Sequence, residues 1–181
     1  YNYNEASMGW ISNSNFTSVS YKSRGYSEPH LVGYMESHDE ERLMSKNINF
    51  GNVSNDFTYN VKDTLIALQR MELAGAFYFT IPGPKMIWEF GELGYDYHIN
   101  YPGEIGGDDH RLDNKPIRWD YLNHNQRRDL FNIWSYLINL KKDYDVFRTT
   151  DFTLSLNGAM KRIHLNHNSM NVTILGNFDV E

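Results

Sequence analysis

The stretch Tyr34 to Leu43, YMESHDEERL, starts apolar and ends charged. Leu31, Val32, Tyr34 and Met35 lead into Glu36, His38, Asp39, Glu40, Glu41 and Arg42. A fixed carboxylate gains interaction where positive charge develops during a reaction. An imidazole beside it can donate hydrogen bonds to a bound polar molecule. Asp39 with His38 therefore suits a catalytic or binding face. The same pair also suits a simpler role, a strand-end carboxylate capping its loop with a satisfied histidine next to it. Glu36 either lines such a face or pairs with Arg42. Glu40 and Glu41 read as a solvated loop face.

Such residues need elements to position them. The near-continuous apolar run predicts a strand over 31–37 with both faces covered. Apolar residues on two sides predict a helix over 60–79, packed between neighbours. Pro82-Gly83-Pro84 interrupts the chain. KMIWEF predicts a second strand over 85–90, in which Trp88 reads as core. The segment 91–122 carries Gly103, Gly106 and Gly107 and reads as a long irregular loop. Loops of that length are usually functional or disordered. Leu130, Ile133, Trp134, Leu137 and Ile138 predict a second helix over 124–142, with Asn123 and Gln126 spaced as a capping box. A short helix is expected near Glu5 to Ile11, and a loop over 47–55.

The pattern then changes. Phe152, Leu154 and Leu156 alternate with polar residues, and Asn157-Gly158 is a hairpin signal. Ile163 and Leu165 lie on the return strand, and a third strand is expected over 171–178. Alternating strands and helices imply a parallel sheet and an α/β architecture. In a (β/α)8 barrel the loops after the strands carry the active site. The expected fold class is thus α/β, a partial TIM (β/α)8 barrel over 1–148. Antiparallel β-sandwich strands follow over 149–181, with a boundary near Arg148.

Composition excludes several classes. The net charge of -6 and the lack of a Lys/Arg run argue against a nucleic-acid binder. No apolar run is long enough to span a bilayer. The absence of cysteine excludes disulfides, thiol catalysis and cysteine zinc sites. Aromatic residues at 15% supply core material despite a modest hydrophobic content. The start at Tyr1 reads as a cut end. Sequons at Asn15, Asn52 and Asn171 are expected of an Asn-rich chain and carry little weight as glycan sites.

Several of these residues resemble the α-amylase family of glycoside hydrolases. YMESHDEER is similar to the family's fourth conserved region, an apolar strand ending in Asn-His-Asp. GPKMIWEFGELGYD resembles its eighth strand and following loop. RLDNKPIRWDY resembles the segment that leads to the last barrel helix, and the tail resembles the start of the family's β domain. The resemblance covers about Leu31 to Phe178.

It implies that Asp39 is the carboxylate that stabilises the transition state, and that His38 hydrogen-bonds the sugar. Glycoside hydrolysis passes through an oxocarbenium-like state, which a nearby carboxylate favours. Further sugar-binding candidates are Glu36, Glu92 and Tyr95, with Tyr97 as a second aromatic platform. Asp109 and Arg111 either hold a distal glucose or form a loop-stabilising pair. Ser37 stands where the commonest pattern has Asn, as in branching-type members. The family's nucleophile and general acid lie on other strands. Arg118-Trp119-Asp120 has the spelling of the nucleophile motif but falls in a loop. The expected partner is an α-glucan oligosaccharide, and an incomplete barrel is expected to self-associate. No cofactor is expected of this chain. Calcium, common in the family, is usually held by other segments, with Asp108, Asp109 and Asp113 as a weak alternative. The family-level expectation for location is secretion or a cell surface.

Overall fold

The computed structural model describes residues 1–181. Its elements in order are α1 (Asn2–Met8), β1 (Gly33–Tyr34), α2 (Leu43–Phe50), α3 (Thr64–Thr80) and β2 (Lys85–Met86). They are followed by α4 (Asn125–Asp143), β3 (Phe152–Ser155), β4 (Met160–Leu165) and β5 (Val172–Asn177). β1 pairs with β2 in parallel, Gly33 against Lys85 and Tyr34 against Met86. The last three strands form an antiparallel sheet in the order β3-β4-β5. No helix is long and apolar enough to cross a membrane.

The parallel pairing expected for the two apolar runs is present, but each regular strand has only two residues. The first run leaves the ladder as it approaches a turn around Ser37. The second closes into a turn in which Gly91 N donates to Trp88 O at 2.9 Å, with Phe90 at φ 58. Between them, the Tyr78 hydroxyl reaches both Gly33 O (2.6 Å) and Met86 O (2.7 Å), tying α3 to both strands.

The helix predicted over 60–79 begins at Thr64 because Asp63 caps it, accepting from Leu65 N and Ile66 N. α4 lies where the spacing placed it. The capping box does not form: His124 occupies the cap position and no side chain bonds the free amides there. The first helix sits three residues earlier than expected. The expected loop over 47–55 is half helix, because α2 runs to Phe50. Asn47, a loop signal in sequence, is buried and donates to Ser7 Oγ (2.8 Å) and Ala67 O (3.2 Å).

One hydrophobic core joins the helices to the antiparallel sheet. Phe178, just after β5, meets Phe77 of α3 at 5.1 Å and Phe16 at 5.6 Å between ring centroids. Trp134 of α4 packs on Phe79 at 5.3 Å and donates to Met71 O at 3.1 Å. The buried Arg70 binds four carbonyls, of Ala6, Ser7, Phe178 and Asp179, and so fastens α1 and the C-terminal segment to α3. Lys161 is buried too, and its Nζ is satisfied by Ser14 Oγ, Leu156 O and Gly158 O.

Candidate functional site

Residues 35–43 leave β1 in a turn that Ser37 organises. Its buried hydroxyl donates to the Glu40 carboxylate and accepts from Asp39 N at 3.2 Å. That turn pushes His38 and Asp39 outward, their side chains 70% and 65% exposed, with 3.2 Å between Nε2 and Oδ2. The sequence-predicted pair thus stands together at the surface beyond β1, on the end toward which the strand runs.

Three further side chains complete this place. Arg111 donates to Asp39 O at 2.7 Å and to Oδ1 at 3.1 Å. Trp88 faces His38 at 5.9 Å between ring centroids. Arg42 lies beneath, 5.8 Å from the Trp88 ring. Together with Glu89, Ile99 and Lys115 they line a cavity of about 400 Å³. Trp88 is therefore half-buried wall rather than core, as the apolar strand had suggested. A Trp at the end of such a run, three residues before a glycine turn, was the signal available.

Other candidates fall elsewhere. Tyr95 is 1% exposed, so its ring offers no face to a sugar. It stacks on Phe90 at 5.6 Å and donates to Pro116 O at 2.6 Å. It anchors a satellite core with Leu93 and Tyr121 beneath the long loop. The loop itself is ordered by polar ties: Arg127 donates to Leu93 O, to Gly94 O and to Asp96 Oδ2, and the Tyr121 hydroxyl donates to Asp96. Tyr97 is half-buried, accepting from Arg118 Nη1 at 2.9 Å.

Glu36 is buried, 4% exposed, and does not face the cavity. Of its two expected roles, the structure has the pairing: Oε1 lies 3.7 Å from Arg42 Nη1 and Oε2 accepts from Leu43 N at 2.8 Å. Desolvation pushes its carboxyl from 4.5 up to about 7, against the pull of Arg42 and the Leu43 amide. Glu40 and Glu41 are not a solvated face; both are half-buried, and Glu41 Oε1 accepts from Arg42 N (2.8 Å) and Ile99 N (3.1 Å).

Glu92 borders a second, more apolar cavity of about 670 Å³ with Ile87, Trp88, Phe90, Trp119 and Phe131. Burial raises its carboxyl above the usual range. Asp109 is exposed and Arg111 turns to Asp39 instead, so the expected loop pair between them does not form. Arg118 and Asp120 grip each other through two bonds of 2.9 and 2.7 Å on a 3-10 turn.

No group of three His, Asp or Glu side chains converges to hold a metal. Of the weak calcium alternative, Asp113 pairs with His110 at 2.7 Å, and Asp108 and Asp109 are exposed.

No protein-family model and no curated protein matches the chain. Solved structures do. The α-amylase of Geobacillus thermoleovorans, complexed with acarbose, matches with a TM-score of 0.62 at 18% identity, over 99% of this chain and 36% of that one. An Anoxybacillus α-amylase matches with a TM-score of 0.63 at 18% identity, over 98% and 35%. A cyclomaltodextrinase matches with a TM-score of 0.60 at 19% identity, over 97% and 27%. The chain spans about a third of the length of the structures it matches. In fold, almost the whole of this chain corresponds to one part of an α-amylase-family structure.

Proposed function

We propose that the chain is a part of an α-amylase-like glycoside hydrolase or transglycosidase that acts on α-glucans. In this reading residues 1–148 are the last strands and helices of a (β/α)8 barrel, and 149–181 begin the β domain behind it. Asp39 is the transition-state-stabilising carboxylate, and His38 and Arg111 donate to sugar hydroxyls. Trp88 offers its ring to the C–H face of a pyranose.

The observation that carries the reading is the pocket itself. A parallel strand pair delivers His38 and Asp39 to its open end, beside Trp88 and Arg111. A barrel places its working residues at that end of its strands. The flanks of the sheet support the partial barrel. β1 is bordered by a cavity of about 450 Å³ that reaches Val32 and Tyr34, and the run after β2 by the 670 Å³ cavity. Both are surfaces that further barrel strands would cover.

Retaining hydrolysis needs two carboxyl groups about 5 Å apart across the scissile bond. The chain alone is expected to bind α-glucan without turning it over. Calorimetry with maltoheptaose tests the binding. A heat of binding that disappears in Trp88→Ala supports the reading, and no binding at millimolar sugar contradicts it. Release of reducing ends from soluble starch at an enzyme-like rate would contradict the inactivity.

A second reading has one specific observation in its favour. Arg111 already pairs with the Asp39 carboxylate, which suits a non-catalytic carbohydrate-binding or assembly module built on the same fold.

A further inference from the structure

Arg42 is 2% exposed and stands between two carboxylates of unlike surroundings. On the inner side is Glu36, 3.7 Å away and buried. On the outer side is Glu89, 57% exposed, whose backbone oxygen accepts from Arg42 Nη1 at 2.9 Å and whose Oε1 accepts from Nη2 at 3.3 Å. Glu89 follows Trp88 directly, so Arg42 grips the wall of the pocket that carries the indole. Asp39 and His38 lie three and four residues before Arg42 on the opposite wall. One guanidinium thus ties the segment that carries His38 and Asp39 to the wall that carries Trp88.

The fit on the inner side is close. A Cβ at Gly91 would lie 2.4 Å from Glu36 Oε1, so any other residue in the turn after Trp88 would displace the carboxylate. Two polar atoms of this couple, Glu36 Oε1 and Arg42 Nε, are buried without a hydrogen-bond partner. Such a couple is held by charge and packing and has slack to rearrange.

We propose that Arg42 is the positioning residue of the pocket. Held between Glu36 and Glu89, it fixes the Trp88 wall against the His38–Asp39 wall, and the charge state of Glu36 sets how firmly it leans outward. When Glu36 is ionised, the guanidinium is shared between two carboxylates. When Glu36 takes up a proton, Glu89 holds the cation alone. Five other groups face this couple. Glu41 and Glu92 disfavour the charge on Glu36, the Leu43 amide favours it, the Tyr78 hydroxyl of α3 stays protonated beside it, and the Tyr95 ring lies 4.9 Å from the guanidinium. The exchange falls near neutral pH, where burial has moved the Glu36 carboxyl. The inference rests on this pocket being the working site proposed above.

The test uses the 181-residue chain labelled with 5-fluorotryptophan, in a His38→Gln background that removes the imidazole beside the indole. Trp88→Phe identifies its fluorine line among the four tryptophans. The Trp88 line is expected to move in one step centred near pH 7. The step is expected to vanish in Glu36→Gln. In Arg42→Lys, which keeps the charge and loses the two-pronged grip, the line is expected to shift at all pH values. If Arg42→Lys does not fold, Glu36→Gln decides alone, because an amide fills the same space. A line that stays put between about pH 5 and pH 9, or that titrates unchanged in Glu36→Gln, overturns the proposal. Maltoheptaose added to the same labelled chain with His38 intact separates the two claims. A pH step with no sugar response keeps the positioning role and overturns the sugar reading; a sugar response without a pH step does the reverse.

Discussion

Arg111 closes on Asp39 from 72 residues away, its Nη2 2.7 Å from the Asp39 carbonyl oxygen and 3.1 Å from Oδ1. This contact makes the long irregular segment part of the site. It brings the far end of the loop to the turn that follows β1.

Because the pair is largely exposed, Arg111→Ala is expected to lower stability by less than about 1 kcal/mol. Its effect on maltoheptaose is expected to be larger. Loss of one charge-assisted contact should weaken binding about tenfold, which is about 1.4 kcal/mol. Thermal denaturation and calorimetry on the same variant separate the two effects. Tighter binding in the variant would mean that Arg111 blocks the carboxylate, contrary to its proposed role.

Stability against pH is expected to pass through a minimum near neutrality. The folded Glu36 carboxyl holds its proton up to about pH 7, whereas an unfolded one releases it near 4.5. Between those values the folded state binds more protons, so stability falls as pH rises. Glu92 and Glu72, also raised by burial, act in the same direction. On the alkaline side Lys85 is pushed down to about 7 by burial and by the nearby Lys141, itself lowered to about 8 by burial and by Arg148. There the unfolded chain binds more protons up to the ordinary lysine range, so stability rises with pH. Glu36→Gln is expected to remove an acid-side slope worth about 3 kcal/mol in total. Urea unfolding at a series of pH values checks this, and a stability maximum at pH 7 with no change in Glu36→Gln would contradict it.

Gly75 lies in the middle of α3, where helix propensity favours alanine by about 1 kcal/mol. Here the sign is expected to reverse. A Cβ at this position would lie 2.4 Å from Trp134 Nε1 and 2.8 Å from Cδ1. Gly75→Ala is therefore expected to destabilise by about 1–3 kcal/mol through overpacking of α3 on α4. A rise in the denaturation midpoint would show that the indole moves aside without cost.

The open flanks of the β1–β2 pair lead to an expectation about association. Val32 and Tyr34 are 51% and 45% exposed on one side, and Ile117 and Trp119 are 74% and 64% exposed on the other. Apolar surfaces beside unpaired strand edges invite pairing with another chain. Light scattering is expected to show association that grows with concentration, and a monomer at millimolar concentration would contradict it.

How much of this was legible in the sequence varies by element. α4 and the hairpin at Asn157-Gly158 were readable because periodicity and turn chemistry are local. α2 was not, because its polar Asn47 finds partners on α1 and α3, contacts that no local pattern encodes. The two apolar runs announced parallel strands but not their length, which is set by the turns at Ser37 and Gly91. His38 and Asp39 were singled out by the charge burst that ends an apolar run, and they stand side by side beyond β1. Tyr95 and Trp88 exchanged their expected places. A loop tyrosine reads as exposed and a strand tryptophan as core, yet the loop folds over its own tyrosine and the strand ends before its tryptophan is covered.

The central claim is that the pocket at the end of β1 receives an α-glucan. The most direct measurement is amide chemical-shift mapping of the chain titrated with acarbose, the molecule bound by the Geobacillus α-amylase of the same fold. The account expects saturable shifts at His38, Asp39, Trp88 and Arg111, which disappear in Trp88→Ala. Saturable shifts confined to another surface, or none at millimolar acarbose, would contradict it.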